Sequence, residues 1–330
     1  MNKKVSIIFP VYNVEEHVEA SLGSVLVQDY PNIELIIIDD CSPDGSMEIV
    51  NLLILNARSD ISIKIIKHDI NKGLSAARNT GIKYSSGDFL FFLDSDDCLS
   101  ENCISLLLGM ININSDIDFV VGNTKTIGGA DENKYALRLK DETIEGNENI
   151  SKAFYQGKWI VTAWNKLLKR DFILKNNLYF LEGILHEDEL WSFKLTQRSN
   201  KVMFCHEFTY FYSVRSSSIM TKAISKFNVE SFYIDIFEAK KCLKNNRNKY
   251  LSGYIVALSI RLMVLLSENQ FSSAYSHSII MKVRNTVSLS IIVQAMFLDL
   301  NIFLKSITFL LPLNLSRFYL KFIYFTKYNK

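Results

Sequence analysis

Three aspartates lie within four positions of the segment FLFFLDSDDCLS, at Asp94, Asp96 and Asp97. Carboxylates this close repel one another, and their charge costs free energy unless something positive is present. Asp94 and Asp96 are alternate residues of an extended segment, so both can point at one hard cation. Mg²⁺ or Mn²⁺ takes one or two protein carboxylates together with substrate phosphates, so a diphosphate ligand would complete this site. The alternative for Asp97, or for Ser100, is the N-cap of a helix over 101–112.

Polar residues with related chemistry follow two earlier strand-like segments. Asp40 could accept hydrogen bonds from a base N–H or a ribose hydroxyl, although a turn formed with Ser42 would explain one aspartate of the pair Asp39–Asp40. Lys72 and Arg78 lie in NKGLSAARNTG, where a helix start and nearby cations could hold phosphates. The alternative for Arg78 is a surface salt bridge.

The second half of the chain supplies candidates for other roles. In HEDELW, Asp188 is the better candidate for a general base and Glu187 the second, because charge there adjoins an apolar helix face. Acidic residues also interact favourably with the helix dipole in a first turn, so a purely structural role stays open. Trp164 could form the floor of a sugar site or belong to the core. Arg215 could hold a diphosphate leaving group or be a plain loop arginine.

An alternation of strand-like and helix-like segments must position these groups. Buried, β-branched strands are predicted over 5–9, 33–38, 61–68, 88–93 and 117–123. Amphipathic helices are predicted over 14–28 with Asn13 as cap, from Ser42 and Pro43 onward, over 74–85 and over 101–112. This order predicts an α/β fold with a mainly parallel, doubly wound sheet whose first strand ends at Pro10. Ligands bind beyond the carboxyl ends of such strands, where the polar clusters fall.

The composition excludes several classes of protein. Of the 330 residues, 48% are hydrophobic and 22% are charged, which suits one or two packed domains. A formal net charge of +2 is too small to indicate nucleic-acid binding. Five scattered cysteines without a CxxC pair, and no secretory leader pattern, favour reduced thiols and a cytoplasmic location. The chain contains no Gly-x-Gly-x-x-Gly, phosphate-loop or GxSxG motif, which weighs against dinucleotide, P-loop and hydrolase chemistry.

Residues 222–330 are predicted to be helical. The apolar segment 287–313 is interrupted by polar and charged residues, and LSRFYLKFIYFTKYNK beyond it interleaves aromatic with basic residues. An amphipathic, basic and aromatic tail suits the surface of an anionic membrane. The alternatives are a helical cap on the core, a dimer interface and a membrane span.

Two segments, VSIIFPVYNVEEHVEASLGSVLVQDYPNIELIIIDDCSPDGS and NKGLSAARNTGIKYSSGDFLFFLDSDD, resemble the nucleotide-sugar-binding half of the inverting family-2 glycosyltransferases with the GT-A fold. The resemblance is dense over 4–123 and continues sparsely through WNKLLKR, HEDELW and YSVR to residue 220. It implies a GT-A domain over 1–220 and a helical region over 221–330. Within that domain, 1–123 would be the nucleotide-sugar-binding half and 124–220 the acceptor half.

The resemblance also implies roles for the donor-site residues. Pro10, Tyr12 and Asp40 match positions that line the base and ribose of a UDP-sugar. The DSD segment matches the metal–diphosphate motif, in which the second aspartate usually binds the Mn²⁺ or Mg²⁺ ion and the first lies nearer the ribose. Ser95, between the two, is expected to contact the substrate.

On the acceptor side, Asp188 matches the catalytic base of the family. Where some relatives carry QxxRW, this chain has YSVRSSSI, which is typical of enzymes that add a single sugar. That difference leaves the role of Arg215 open.

The sequence therefore predicts a metal-dependent, inverting hexosyl- or N-acetylhexosaminyltransferase. It would move one sugar from a UDP-sugar to a hydroxyl of a glycan acceptor, lipid-linked, in capsule, exopolysaccharide or O-antigen biosynthesis. The expected location is peripheral, at the inner face of the cytoplasmic membrane, with the oligomeric state open. A nucleotidyltransferase making nucleotide sugars is one alternative, although its Gly-rich basic N-terminal loop is absent. A non-catalytic nucleotide-sugar-binding scaffold is another, although Asp94, Asp96 and Asp188 argue against it.

Overall fold

The computed structural model describes residues 3–113, 116–129, 131–214, 224–243, 248–268 and 271–328. Its strands are β1 (Val5–Val11), β2 (Ile33–Asp39), β3 (Ile61–Lys67), β4 (Phe89–Phe92), β5 (Cys98–Leu99), β6 (Phe119–Ile127), β7 (Thr143–Glu145), β8 (Lys166–Lys169) and β9 (Lys201–Ser213). Its helices are α1 (Val18–Leu26), α2 (Ser46–Ile54), α3 (Leu74–Tyr84), α4 (Cys103–Ile113), α5 (Asn147–Tyr155), α6 (Arg170–Lys175), α7 (Glu187–Arg198), α8 (Lys226–Cys242), α9 (Lys249–Glu268), α10 (Ser273–Thr286), α11 (Leu289–Met296), α12 (Leu300–Leu310) and α13 (Leu313–Tyr328).

The nine strands form one mixed sheet in the order β3-β2-β1-β4-β8-β6-β9-β5, with β7 paired to β9. The first four strands are parallel, as the predicted alternation of strands and helices requires. β8 is antiparallel to both β4 and β6, so it separates two strands that are consecutive in the predicted order. Because most of the strands in the described ranges still run in one direction, the mainly parallel α/β sheet is confirmed.

Helices cover both faces of β1. Val5, Ile7 and Phe9 belong to a core cluster that includes the apolar face of α1. On the other face, a Cβ atom at Gly81 of α3 would lie 2.3 Å from Cγ2 of Ile8, so the glycine allows a close approach of helix and sheet. Alternate residues of β1 are therefore buried on opposite faces, which explains why its sequence is an almost continuous apolar run.

The sequence predicted that Pro10 ends the first strand, but Pro10 lies inside β1. β1 stays paired with β2 from Val5 to Val11, whereas its pairing with β4 ends at Ile8. The carbonyl of Ile8 accepts a hydrogen bond from Leu93 on the β4 side. Because hydrogen-bonding direction alternates along a strand, Pro10 faces the same side, beyond the last pair with β4, and its missing N–H costs no ladder bond.

The predicted starts of the first two helices are wrong. Asn13 has a positive φ of 55° and donates its backbone N–H to the hydroxyl of Ser42 at 2.8 Å, so it does not cap α1. α1 begins at Val18 after His17, and α2 begins at Ser46 after Gly45. The residues that connect β1 to α1 are hydrogen-bonded to those that connect β2 to α2, at the carboxyl ends of the two strands.

Contacts divide the chain into two compact units. Unit 1 comprises Met1–Ile150, Gly157–Gly183 and Arg198–Lys222, and unit 2 comprises Ser151–Gln156, Ile184–Gln197 and Ala223–Lys330. Unit 1 contains the whole sheet, and the described part of unit 2 contains helices and their connections. The predicted domain boundary at residue 220 stays a prediction.

The predicted helical nature of the C-terminal region is confirmed, but its apolar segment is not one helix. Residues 287–313 are divided mainly between α11 and α12. Among the described helices, α9 alone is long and apolar enough to cross a membrane, and 67% of its apolar window is buried inside the fold. α10 and α11 would qualify only as one span bent by 78°. A core helix has the same properties as α9, so this is weak evidence for a span.

Candidate active site

Asp94, Asp96 and Asp97 lie in the loop after β4, at the carboxyl end of a parallel strand. Each can place one carboxylate oxygen within 4.8 Å of the others. In the described part of the chain, no other three residues of the types His, Cys, Asp and Glu bring ligand atoms this close together. Asp94 and Asp96 are partly exposed, whereas Asp97 is buried. The loop therefore concentrates oxygen donors of the kind that hard cations prefer.

Asp97 is fixed to β9 and does not cap α4. The hydroxyl of Tyr210 donates to Oδ2 of Asp97 at 2.8 Å, and the backbone N–H of Ser213 donates to Oδ1 at 2.8 Å. α4 begins only at Cys103, after β5, which is why the predicted cap fails. Burial and, second, the carboxylate of Asp94 raise the pKa of Asp97 to about 8. Both oxygens of Asp97 thus anchor the loop, and Asp94 and Asp96 are left as its accessible carboxylates.

Arg78 of α3 holds the first aspartate in place. Its Nη2 donates to Oδ1 of Asp94 at 2.8 Å. The Arg78 side chain is 1% exposed, so the predicted alternative of a surface salt bridge is wrong. Its Cζ lies 5.2 Å from the ring centroid of Phe180, and that ring packs edge-on against Phe92 at 5.4 Å. The predicted contact of Arg78 with phosphate remains a prediction, because the guanidinium is directed at the carboxylate.

Asp40 organises the loop that leads into α3. Its Oδ1 accepts the backbone N–H of Lys72 at 2.9 Å, and its Oδ2 accepts that of Gly73 at 2.8 Å. Nδ1 of His68 lies 2.6 Å from Oδ1 of Asp40. Gly73 has a φ of 84°, a left-handed conformation that glycine adopts without strain. Asp40 therefore fixes the geometry of this loop. Its predicted contact with the base or ribose stays a prediction.

The remaining predicted donor-site residues also lie in unit 1. Tyr12 follows β1 with 45% of its surface exposed, and Pro10 is buried two positions earlier. Lys72 is exposed in the loop before α3, and Ser95 is buried in the loop after β4. Since β1, β2, β3 and β4 are parallel, these residues and Asp40 share one edge of the sheet, where the sequence placed them.

Trp164 lies in the core of unit 1. Its ring stacks on Tyr210 with a centroid separation of 4.5 Å and on Tyr212 with a separation of 5.7 Å, and Tyr135 packs against it edge-on. It is 5% exposed. Of the two predicted roles, this position favours the core, where Trp164 supports the tyrosine that binds Asp97.

The acidic start of α7 belongs to unit 2. Glu187 and Asp188 occupy the first turn, preceded by His186, whose φ is 62°. Glu189 accepts hydrogen bonds from the hydroxyl of Tyr254 and from Nη1 of Arg261. Glu189 thus fastens this turn to α9, while Asp188 and Glu187 are partly exposed. Arg215 lies outside the residues that the structure describes.

Sequence reasoning missed three residues that shape the site. Tyr210 binds Asp97, and His68 lies against Asp40. Asn79 accepts the backbone N–H of Phe180 and donates to its carbonyl, each at 2.9 Å, which holds the ring beside the guanidinium. The alternation in EFTYFYS signals that Tyr210 has a buried face, but nothing local indicates which carboxylate it meets.

The chain resembles proteins of known class. A family model described as Glycosyl transferase family 2 matches residues 6–175. Glycosyltransferase GlyA of Streptococcus pneumoniae serotype 4 is 33% identical over 227 residues, and the match covers 66% of this chain but 32% of GlyA. The putative glycosyltransferase EpsH of Bacillus subtilis is 30% identical over 292 residues, with 85% of this chain and 81% of EpsH covered. UDP-Glc:alpha-D-GlcNAc-diphosphoundecaprenol beta-1,3-glucosyltransferase WfgD of Escherichia coli is 42% identical over 123 residues, with 37% of this chain and 46% of WfgD covered.

Solved structures share the fold at lower identity. Staphylococcus aureus TarS 1-349 in complex with UDP-GlcNAc superposes with a TM-score of 0.74 at 20% identity, covering 89% of this chain and 84% of that one. Mannosyltransferase PcManGT of Pyrobaculum calidifontis, in complex with GDP-Man and Mn²⁺, has a TM-score of 0.56 at 13% identity, covering 90% of this chain and 88% of that one. The nucleotidyltransferase and scaffold alternatives lose their support. The chain has the GT-A fold and is a glycosyltransferase that belongs to glycosyl transferase family 2.

Proposed function

We propose that this enzyme transfers one sugar, with inversion and with a divalent cation, from a UDP-sugar to a hydroxyl of a glycan acceptor. The observation that carries the proposal is the loop after β4, where Asp94 and Asp96 present partly exposed carboxylates close together. Arg78 already pairs with Asp94, and a second carboxylate beside that pair would be stabilised by a further cation. Two TarS structures that share the fold contain UDP-GlcNAc and UDP, which supports a UDP-sugar donor.

The carboxylate oxygens of the loop after β4 suit a Mn²⁺ or Mg²⁺ ion. Both ions take carboxylate oxygens and complete their coordination with substrate phosphates, and PcManGT contains Mn²⁺. Asp96, with Asp94 in support, would hold the ion. When bound, it would neutralise negative charge on the diphosphate of the leaving group.

Residues of the chain itself would perform the other tasks in the donor site. Arg78 keeps Asp94 in one orientation through the 2.8 Å ion pair. Asp97 stays with Tyr210 and Ser213 and keeps the loop in shape. Tyr12, Lys72 and Ser95, with Pro10 and Asp40 behind them, would line the nucleotide site at the same edge of the sheet.

Asp188 would be the general base and Glu187 the second candidate. Its carboxylate would remove the proton of the acceptor hydroxyl while that oxygen attacks the anomeric carbon from the face opposite the diphosphate. One displacement inverts the configuration and needs no nucleophile on the protein. Its place in the first turn of α7 suits a negative charge, because the helix dipole stabilises anions there.

The acceptor is proposed to be a lipid-linked glycan of a cell-envelope polymer. The name of WfgD specifies a diphosphoundecaprenol-linked sugar, and WfgD shares 42% identity over 123 residues. Large apolar side chains are exposed on α11–α13 and the turns between these helices, among them Phe297 at 83%, Phe318 at 75% and Leu300 at 73%. Together with the basic residues of α13, these side chains suit peripheral binding at an anionic cytoplasmic membrane face.

The direct test is UDP release from a panel of UDP-glucose, UDP-galactose, UDP-GlcNAc and UDP-GalNAc, with GDP-mannose as a contrast, with and without glycan acceptors. We expect turnover with Mn²⁺ or Mg²⁺ that EDTA abolishes, and losses of about 100-fold or more for Asp96→Ala and Asp188→Asn. Asp171→Asn is the matched control, because that aspartate is exposed on α6 and its carboxylate pairs with Lys175 at 3.8 Å.

Each part of the proposal can fail separately. Turnover in EDTA would contradict the cation, full activity of Asp188→Asn would contradict the base, and retention of the donor anomeric configuration, measured by NMR of the product, would contradict inversion. Binding of UDP-sugars without release from any of them would contradict the transfer reaction.

The membrane part is tested with Phe297→Ser and Phe318→Ser combined, because exposed side chains can be changed at little cost to folding. We expect weaker sedimentation with anionic vesicles than for the unaltered protein. Equal sedimentation would contradict membrane binding through α11–α13.

A further inference from the structure

Asp235 is a buried acidic residue that the proposed mechanism does not use. It lies in the middle of α8 with 0% of its surface exposed. Neither of its carboxyl oxygens has a hydrogen-bond partner among the described residues. An unpaired carboxylate in such a place would lose its hydration without compensation, so the group is expected to keep its proton.

The segment before α7 packs on α8 one turn away from Asp235. The backbone N–H of Leu185 donates to the hydroxyl of Ser231 at 3.0 Å. The ring of His186 stacks on Phe232 with a centroid separation of 4.3 Å. These two contacts, both within unit 2, attach the residues that precede Asp188 to the helix that carries Asp235.

Charged groups of two neighbouring helices surround Asp235. On α7, the three acidic residues of the first turn disfavour a negative charge on Asp235, whereas Lys194 favours it. On α9, Tyr254 faces Asp235, and Arg261 pairs with Glu189. The acidic residues are Glu187, Asp188 and Glu189. A carboxylate at Asp235 would place a fourth negative charge in this group. Burial and, second, these carboxylates raise the pKa of Asp235 to about 9.

We propose that Asp235 is a positioning residue for the transfer reaction: a neutral carboxylic acid that lets the acidic start of α7, including Asp188, pack on α8. Loss of its proton at alkaline pH creates repulsion between α8 and the first turn of α7 and displaces the base. The role in catalysis rests on the proposed function, whereas the neutral state of Asp235 does not.

A divalent cation bound by Asp235 and the α7 carboxylates is a poorer explanation. Within the described residues, no set of three potential ligand atoms as close as those of the β4 loop occurs in unit 2. A proton on Asp235 needs no such convergence.

Proton release on unfolding tests the neutral state without an activity assay. A carboxyl group with a pKa raised in the folded protein holds a proton that the unfolded chain has lost at neutral pH. Unfolding at pH 7 should therefore release about one proton more from the unaltered protein than from Asp235→Asn. For the same reason, the stability of the unaltered protein relative to Asp235→Asn should fall as pH rises from about 4 to about 9 and then stay level. Equal proton release and parallel stability profiles would overturn the proposal.

Activity tests the positioning role. Because Asn mimics the neutral acid, Asp235→Asn should keep kcat at pH 7 within about 3-fold of the unaltered enzyme and should lose the alkaline fall in kcat near pH 9. Asp235→Leu, which keeps the site uncharged without an amide, should likewise retain activity above pH 9 if it folds. Glu230→Gln, an exposed acid on the same helix, is the control and should leave the profile unchanged.

The outcomes separate the two proposals. An unaltered enzyme without turnover on any donor contradicts the proposed function and leaves the proton measurement as the test of Asp235. An active enzyme whose alkaline limb is the same in Asp235→Asn overturns the positioning role. Inactivity of Asp235→Asn at pH 7, with the fold retained, would overturn it as well.

Discussion

The ion pair of Arg78 and Asp94 gives the sharpest test of how the loop after β4 is held. Nη2 and Oδ1 are 2.8 Å apart, the arginine side chain is 1% exposed and the aspartate 24% exposed. With charge centres about 4 Å apart, an effective dielectric constant of about 20 gives an attraction of about 4 kcal/mol. Partial exposure of Asp94 screens part of this energy, and the burial of Arg78 offsets another part.

Removing one partner should therefore be costly. We expect Arg78→Met, which keeps most of the buried stem, to lower the free energy of unfolding by about 2–3 kcal/mol. Asp94→Asn should cost a similar amount, because the buried guanidinium loses its carboxylate. In Arg78→Met/Asp94→Asn the loss should be smaller than the sum of the single losses by about 1 kcal/mol or more.

The assay is urea unfolding followed by tryptophan fluorescence and circular dichroism, with donor turnover measured on the same samples. Lys83→Met is the control, because Lys83 is exposed on the same helix, and it should change stability by less than about 0.5 kcal/mol. Turnover of Arg78→Met should fall by about 10-fold or more if Asp94 must be held in one orientation. Additive losses, or full turnover in Arg78→Met, would refute this account of the loop.

Two further predictions concern unit 1. Burial alone would raise the pKa of Glu34, but hydrogen bonds, first among them the one from Lys64, hold this pKa at about 2. The ionised Glu34 therefore stabilises the fold fully above its ordinary pKa of 4.5, and this stabilisation is lost as pH falls toward 2. Glu34→Gln should accordingly be less stable at pH 7 by about 2–3 kcal/mol, and the difference should shrink below pH 4.5 in acid titrations monitored by circular dichroism; a constant difference would contradict this. Gly81→Ala should destabilise by about 1–3 kcal/mol because the added Cβ would lie 2.3 Å from Ile8, whereas Gly109→Ala, with nothing within 4 Å, should be neutral or stabilising in thermal unfolding.

Much of unit 1 was predictable because its signals are local. β-branched apolar runs predicted β1, β2 and β3 within two residues at each end, and the alternation with helices predicted their parallel pairing. The positions of Asp40 and the DSDD segment after their strands followed from the same pattern. Helix starts were less predictable, since Asn13 and Ser42 bond to each other across two loops instead of capping the helices that follow them.

The sequence by itself determined the fold class, the family and the edge of the sheet at which the polar residues gather, because these depend on residue types and spacing along short segments. Only the tertiary structure decided which partner each carboxylate has. Asp97 accepts a hydrogen bond from Tyr210, Asp94 pairs with Arg78, and the Asp235 carboxyl group has no hydrogen-bond partner among the described residues. Those pairings join residues up to 113 positions apart, and they depend on β9, α3 and α8 packing where no local pattern could place them.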